Sequence, residues 1–209
     1  MSFWDSHSVS VDNLSRLGPF VDGVVGTEGK YSVLNDAIAA GWTRIVLASG
    51  ASLNADLTIP LNTSIIALQA GITLAGNFCL NVAGADCYLE GFTVINSGGK
   101  GFYITGQRAR FCRVRAMSCL SHGFHFANTS WGDHEMTSCL AYGNGGDGIR
   151  CELYNYTRII LSRSQNNVGY GVNDLIPNAV QISCSLINGN TAGQRSGSSP
   201  YIDASVKAV

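Results

Sequence analysis

Charge is scarce in this chain. Charged residues make up 13% of its 209 positions, about half of the roughly 25% usual in a globular protein, so few positions are given to a charged exterior. Neither sign dominates, with 13 Lys and Arg against 14 Asp and Glu. That balance argues against a protein that holds nucleic acid by neutralising phosphates. No window approaches the ~18 apolar residues of a membrane span, and the start, MSFWDSHSVS, lacks the basic and apolar regions of a signal peptide. The expectation is a chain made and kept reduced in a cytosol, with neither a membrane nor a nucleic acid among its partners. Seven cysteines are present, but as an odd set without a CxxC pair, which indicates neither a zinc site nor a disulfide framework. They read as small buried hydrophobes, and no metal or cofactor is expected.

Glycine is abundant, with 25 residues, and it reveals a repeat. Lys100-Gly101-Phe102-Tyr103-Ile104, His122-Gly123-Phe124-His125-Phe126, Asp147-Gly148-Ile149-Arg150-Cys151 and Tyr170-Gly171-Val172-Asn173 share the pattern x-Gly-apolar-polar-apolar, only the last unit ending early, with glycines 22, 25 and 23 residues apart. Ten residues upstream of each post-glycine apolar residue lie Phe92, Val114, Cys139 and Ser162, each in a mostly β-favouring run. Polar turns between the two runs, such as Gly143-Asn144-Gly145-Gly146 and Asn166-Asn167-Val168-Gly169, supply positive φ and side-chain turn bonds. Fainter copies occur at 43–47, 55–59, 64–68 and 72–74, and the series continues to Val180–Cys184. A unit of this length cannot bury its apolar face alone, whereas stacked units share one core. The reading is an all-β, right-handed, single-stranded parallel β-helix of about seven coils, on the order of 30 to 35 Å long.

Three segments follow. Residues 29–192 form the β-helix. Its opening, Ser32 to Gly41, is expected to be a short capping helix with Ser32 as N-cap, Gly41 as stop, and Val33, Leu34, Ala37 and Ile38 as the stripe laid on the first coil. Residues 1–28 lie outside the repeat but carry Phe3, Trp4, Leu14, Leu17 and Phe20, too apolar for a disordered leader, and are expected to dock or assemble copies. Residues 193–209 read as a tail, flexible over 193–200, with 201–209 available as a last strand.

The segment Gly29-Lys30-Tyr31-Ser32-Val33-Leu34-Asn35-Asp36-Ala37-Ile38-Ala39-Ala40-Gly41, followed by Arg44-Ile45-Val46-Leu47, resembles the capping helix and first strand of the pectin-lyase-like family of right-handed parallel β-helices. The resemblance covers residues 29–192. It is specific for fold and open about chemistry, since that family includes polysaccharide lyases, hydrolases, epimerases, phage tailspikes and related virion proteins. The calcium-binding aspartates of its lyases and the clustered aspartates of its hydrolases are not found intact here.

Equivalent positions of successive coils stack into columns. One holds Lys100, His122, Asp147 and Tyr170; the next polar one holds Tyr103, His125, Arg150 and Asn173, pointing outward by strand alternation. Glu152 shares that face. Tyr103, His125, Arg150 and Asn173 are the expected ligand contacts, suited to sugar hydroxyls and a sugar ring. If the protein is an enzyme, Asp147 and Glu152 are the paired carboxylates and His122 assists; the bland reading is a solvated column. Asp133 with Glu135 invites a metal or acid-dyad reading, but Glu135 falls in register with Arg110 and Arg158, which would neutralise it. The leading expectation is a non-enzymatic virion protein, namely a spike, fibre or capsid decoration. It would be a homotrimer touching other virion proteins and a host-surface polysaccharide. The alternative is a polysaccharide lyase or glycoside hydrolase.

Overall fold

The computed structural model describes residues 21–95, 98–127, 132–152, 156–176, 180–197 and 207–208. The assembly residues Phe3, Trp4, Leu14, Leu17 and Phe20 lie outside these. Within them the chain is a parallel β-solenoid of three sheets. Sheet 1 has eight strands in chain order: Gly23–Val25, Arg44–Leu47, Ser64–Ala67, Tyr88–Glu90, Arg110–Cys112, His134–Thr137, Thr157–Ile160 and Val180–Ser183. Sheet 2 has seven: Thr73–Ala75, Thr93–Ile95, Arg115–Met117, Leu140–Tyr142, Arg163–Gln165, Leu186–Asn188 and Lys207–Ala208. Sheet 3 also has seven: Leu57–Ile59, Leu80–Val82, Phe102–Ile104, Phe124–Phe126, Ile149–Cys151, Tyr170–Asp174 and Gly193–Ser196.

Five of the corners between sheets 1 and 2 turn on one residue of left-handed backbone. Gly91, Arg113, Ser138, Leu161 and Cys184 occupy equivalent places there, with φ of 82°, 53°, 57°, 51° and 47°. This explains why Phe111 and Val114 have opposite parity in sequence yet are both buried: the reversal at Arg113 resets the alternation. The turn from sheet 2 to sheet 3 opens in the same way at Ser118, Gly143 and Asn166.

The anchor glycines have a different cause. A Cβ on Gly148 would collide with Ser164 Oγ and lie 2.6 Å from Asn167 Nδ2, and one on Gly123 would lie 2.8 Å from Asn144 Nδ2. Those asparagines form an internal ladder. The Asn144 side-chain amide donates to Asn167 Oδ1 and the Asn167 amide to Asn190 Oδ1, both at 2.8 Å. The backbone N–H groups of Cys119, Asn144 and Asn167 each donate to the amide oxygen one coil on, at 3.0 Å. Asn144 and Asn167 are wholly buried, so this ladder satisfies turn donors that water cannot reach. A second column bonds similarly, with Cys139 N–H donating to Ser162 Oγ and Ser162 N–H to Ser185 Oγ, each at 3.1 Å.

Midway along the stack the interior is aromatic. Phe102 and Phe124 stack at 4.9 Å with planes 6° apart, and Phe111 meets both edge-on. The cysteines follow the apolar reading at Cys87, Cys119, Cys139 and Cys151, which are buried, whereas Cys184 is exposed at its corner.

Three boundaries differ from the sequence reading. The helix, α1, spans Leu34–Ala39 with Val33 at its cap position and no side-chain capping bond. Ser32 does not cap it because its carbonyl accepts the N–H of Ser52 and adjacent Val33 is held in a bridge to that residue, which keeps the segment extended. Leu34 and Ala37 enter the core. The stack starts earlier, since Gly23–Val25 pairs with Ile45–Leu47. It also ends later: Gly193–Ser196 is a strand on Tyr170–Asn173 and not a flexible exit, and Lys207–Ala208 pairs with Leu186–Ile187. No described helix is long and apolar enough to cross a membrane.

Candidate functional site on sheet 3

The three-residue strands of sheet 3 send their first and third side chains inward and the middle one outward. Register places Tyr103, His125, Arg150 and Asn173 in one outward column. Coil-to-coil bonds from Gly101 N–H to His122 O, Gly123 N–H to Asp147 O and Gly148 N–H to Tyr170 O align the neighbouring column of Lys100, His122, Asp147 and Tyr170. The two columns converge on Asp147. Its Oδ1 accepts the Tyr170 N–H at 2.8 Å, and its Oδ2 accepts the Asn173 amide at 2.8 Å and lies 3.4 Å from Arg150 Nη1. Arg150 Nε donates to Glu152 Oε1 at 2.7 Å.

His122 Nδ1 lies 3.5 Å from Asp147 Oδ2, but this is no ion pair. Nδ1 accepts the Asp147 backbone N–H at 2.9 Å, so it carries no proton, and burial holds the imidazole pKa below its ordinary value. His122 is therefore neutral, with its proton on Nε2. His125 is buried more deeply. Desolvation and the Lys100 charge depress its pKa to about 4, its Nε2 lies 3.1 Å from Glu152 Oε1 off the hydrogen-bond direction, and its Nδ1 has no hydrogen-bond partner among the described residues. Burial alone would raise the Glu152 pKa, but the bond from the Arg150 guanidinium outweighs it and leaves the carboxyl more acidic than usual. Lys100 Nζ sits 3.7 Å above the Tyr103 ring centroid, a cation–π contact, and the Tyr103 and His125 rings are 5.3 Å apart.

A comparison with protein-family models, curated proteins and solved structures finds no match to this chain. The site is accordingly read from its own residues. Every sheet 3 residue singled out in the sequence lies in one cluster, but the cluster faces itself. His125 and Asn173 are 6% and 7% exposed, although their backbone directs them outward. Asp133 and Glu135 form no site either. Arg158 reaches both, at 3.8 and 3.4 Å, while Arg110 stands in register with Glu135 but beyond ion-pair distance. No described group of three or more His, Cys, Asp or Glu residues is arranged to hold a metal ion.

Sequence reasoning missed the Asn144, Asn167 and Asn190 ladder, whose constant 23-residue spacing was a readable signal. It also missed Asp174, a fully buried carboxylate with Arg195 Nη2 at 3.7 Å, because Arg195 lies in the segment read as tail.

Proposed function

We propose that this protein is a non-enzymatic structural rod, the post of a virion spike, fibre or capsid decoration, assembled as a homotrimer with other virion proteins. Its likeness in pattern to pectin-lyase-like β-helices supplies the virion setting, and the apolar residues 1–20 supply the means of assembly. One observation carries the non-enzymatic part: the carboxylates in position for catalysis hold the stack together. Asp147 bonds the next coil through both oxygens. Glu152 is tied to Arg150, and its pKa is shifted downward, whereas a general acid of glycoside hydrolysis needs a raised one. Neutral His122 has its only basic nitrogen occupied by a backbone N–H, so it offers no base to a lyase.

Light scattering tests the reading. The whole chain is expected to have a trimer's mass and a chain lacking residues 1–20 a monomer's; the cut stops short of the edge strand Gly23–Val25. A monomeric whole chain that releases unsaturated or reducing sugar ends from an acidic polysaccharide would replace the structural reading with the enzymatic alternative.

A further inference from the structure

The inward side chains of sheet 3 form two columns. One is apolar from Leu57 to Val172 and ends in Arg195; the other is apolar from Ile59 to Cys151 and ends in Asp174. Among the described strands no other inward position holds a charged side chain, so both columns turn from apolar to charged at the same end of the stack. Arg195 Nη2 lies 3.7 Å from Asp174 Oδ2, with the two side chains 14% and 0% exposed. A Cβ on Gly197 would lie 2.2 Å from the Asp174 carbonyl oxygen, so the chain leaving the last strand crosses directly over that residue. The strand that carries Arg195 is an edge. Gly193–Ser196 is the last of sheet 3 and, among the described residues, pairs only with Tyr170–Asn173. At the equivalent positions Phe102 N–H donates to Gly123 O and Phe124 N–H to Gly148 O, each one coil on. The Arg195 N–H points the same way, toward the end of the rod, and such an edge is a template for another strand. At the opposite end α1 lies on the first coil, with Leu34 and Ala37 in the core.

We infer that Arg195, held by Asp174, is the terminator of the rod and keeps its C-terminal end from joining the same end of a second copy. Because α1 covers the N-terminal end, the matching surface on another molecule is its own C-terminal edge. A two-fold axis through sheet 3 would set the two Gly193–Ser196 strands antiparallel and bring the two Arg195 side chains together at the join. Two like charges would then lie between two apolar cores, stripped of the water that reaches each guanidinium in the single rod. An aliphatic side chain at position 195 would instead continue the Val172 column and let the cores merge. Inward-pointing charge on an edge strand blocks edge-to-edge pairing, and a stacked-repeat protein needs a polar outer face on its terminal repeat. Stability does not account for the pair, since a buried ion pair gives little net gain over apolar side chains of the same volume. Blocking the end does account for it, and for its position in the last coils alone.

The test is light scattering, over a wide range of concentration, of the whole native chain and of the double variant Asp174→Leu, Arg195→Val, which continues both apolar columns. The double variant should melt no lower than the native protein, because it exchanges an ion pair for apolar side chains, and its mass should rise with concentration to twice the native mass. Hydrogen exchange should place the join, with the amides of 193–196 protected in the doubled form and exchanging fast in the native one. Arg195→Lys, which keeps the charge, and Arg163→Val, which removes an exposed arginine from sheet 2, should both keep the native mass. A folded double variant that keeps the native mass at every concentration would overturn the inference. So would doubling by Arg163→Val, growth beyond twice the native mass, or protection gained elsewhere than 193–196. If the double variant does not fold, Arg195→Gln decides, since it removes the charge but still offers Asp174 a donor: doubling at high concentration supports the terminator and an unchanged mass overturns it. Each variant is compared with the native mass, whatever that is, so a native protein that is not a trimer would count against the proposed assembly alone.

Discussion

Leu161 occupies a corner of left-handed backbone, with φ 51°, and its side chain is 58% exposed. A leucine there bears about 1–2 kcal/mol of steric cost that Asn largely avoids, with little packing to lose. Leu161→Asn is therefore expected to stabilise the protein by about 0.5–1 kcal/mol, seen as a higher melting temperature; a lower one would mean that the exposed leucine packs against something. His125 acts through pH. Unfolded, its imidazole takes up a proton near its ordinary pKa of 6.5, whereas the folded one resists down to about 4. Between those values the unfolded state binds more protons, so stability falls as pH falls, by at most about 3 kcal/mol in total. The urea midpoint should drop from pH 7 to pH 5, and His125→Gln should show a smaller drop; equal drops would assign the effect to other groups. The sequence placed His125 correctly on the outward column but not its burial. Alternation fixes direction, whereas exposure depends on side chains from coils only ~4.8 Å away.

At the scale of elements, the internal ladder holds the sheet 2 to sheet 3 turns. Asn167→Ala would strand the Asn144 N–H and amide donors and remove the donor to Asn190 Oδ1, all in a buried turn. A cost of about 3–5 kcal/mol is expected in denaturant titration, exceeding that of Asn190→Ala at the ladder's end, where fewer coils depend on it. Equal costs would show that the ladder does not act as a chain. Three of the four glycine anchors that revealed the repeat make room for this ladder, since a Cβ at Gly123, Gly148 or Gly171 would meet Asn144, Asn167 or Asn190, whereas one at Gly101 would meet the Gly123 carbonyl. The anchor was thus legible and its reason was not. Glycine is visible in a one-dimensional pattern, but the contact it makes room for joins residues a whole coil apart.

For the whole molecule, coils touch only their neighbours, so protection should follow position along the stack. Hydrogen exchange is expected to be slowest at Phe102–Ile104 and Phe124–Phe126, within the stacked phenylalanines, and fastest at the end strands Gly23–Val25 and Gly193–Ser196. Uniform protection would indicate one cooperative unit. The sequence by itself determined the parallel β-helical architecture, the coil length and which residues share a column, because those follow from periodicity and from strand alternation. Only the tertiary structure decided where the stack begins and ends and which carboxylates are tied to the next coil. Those depend on the distance between groups in adjacent coils, and a distance across the stack leaves no periodic mark on the chain.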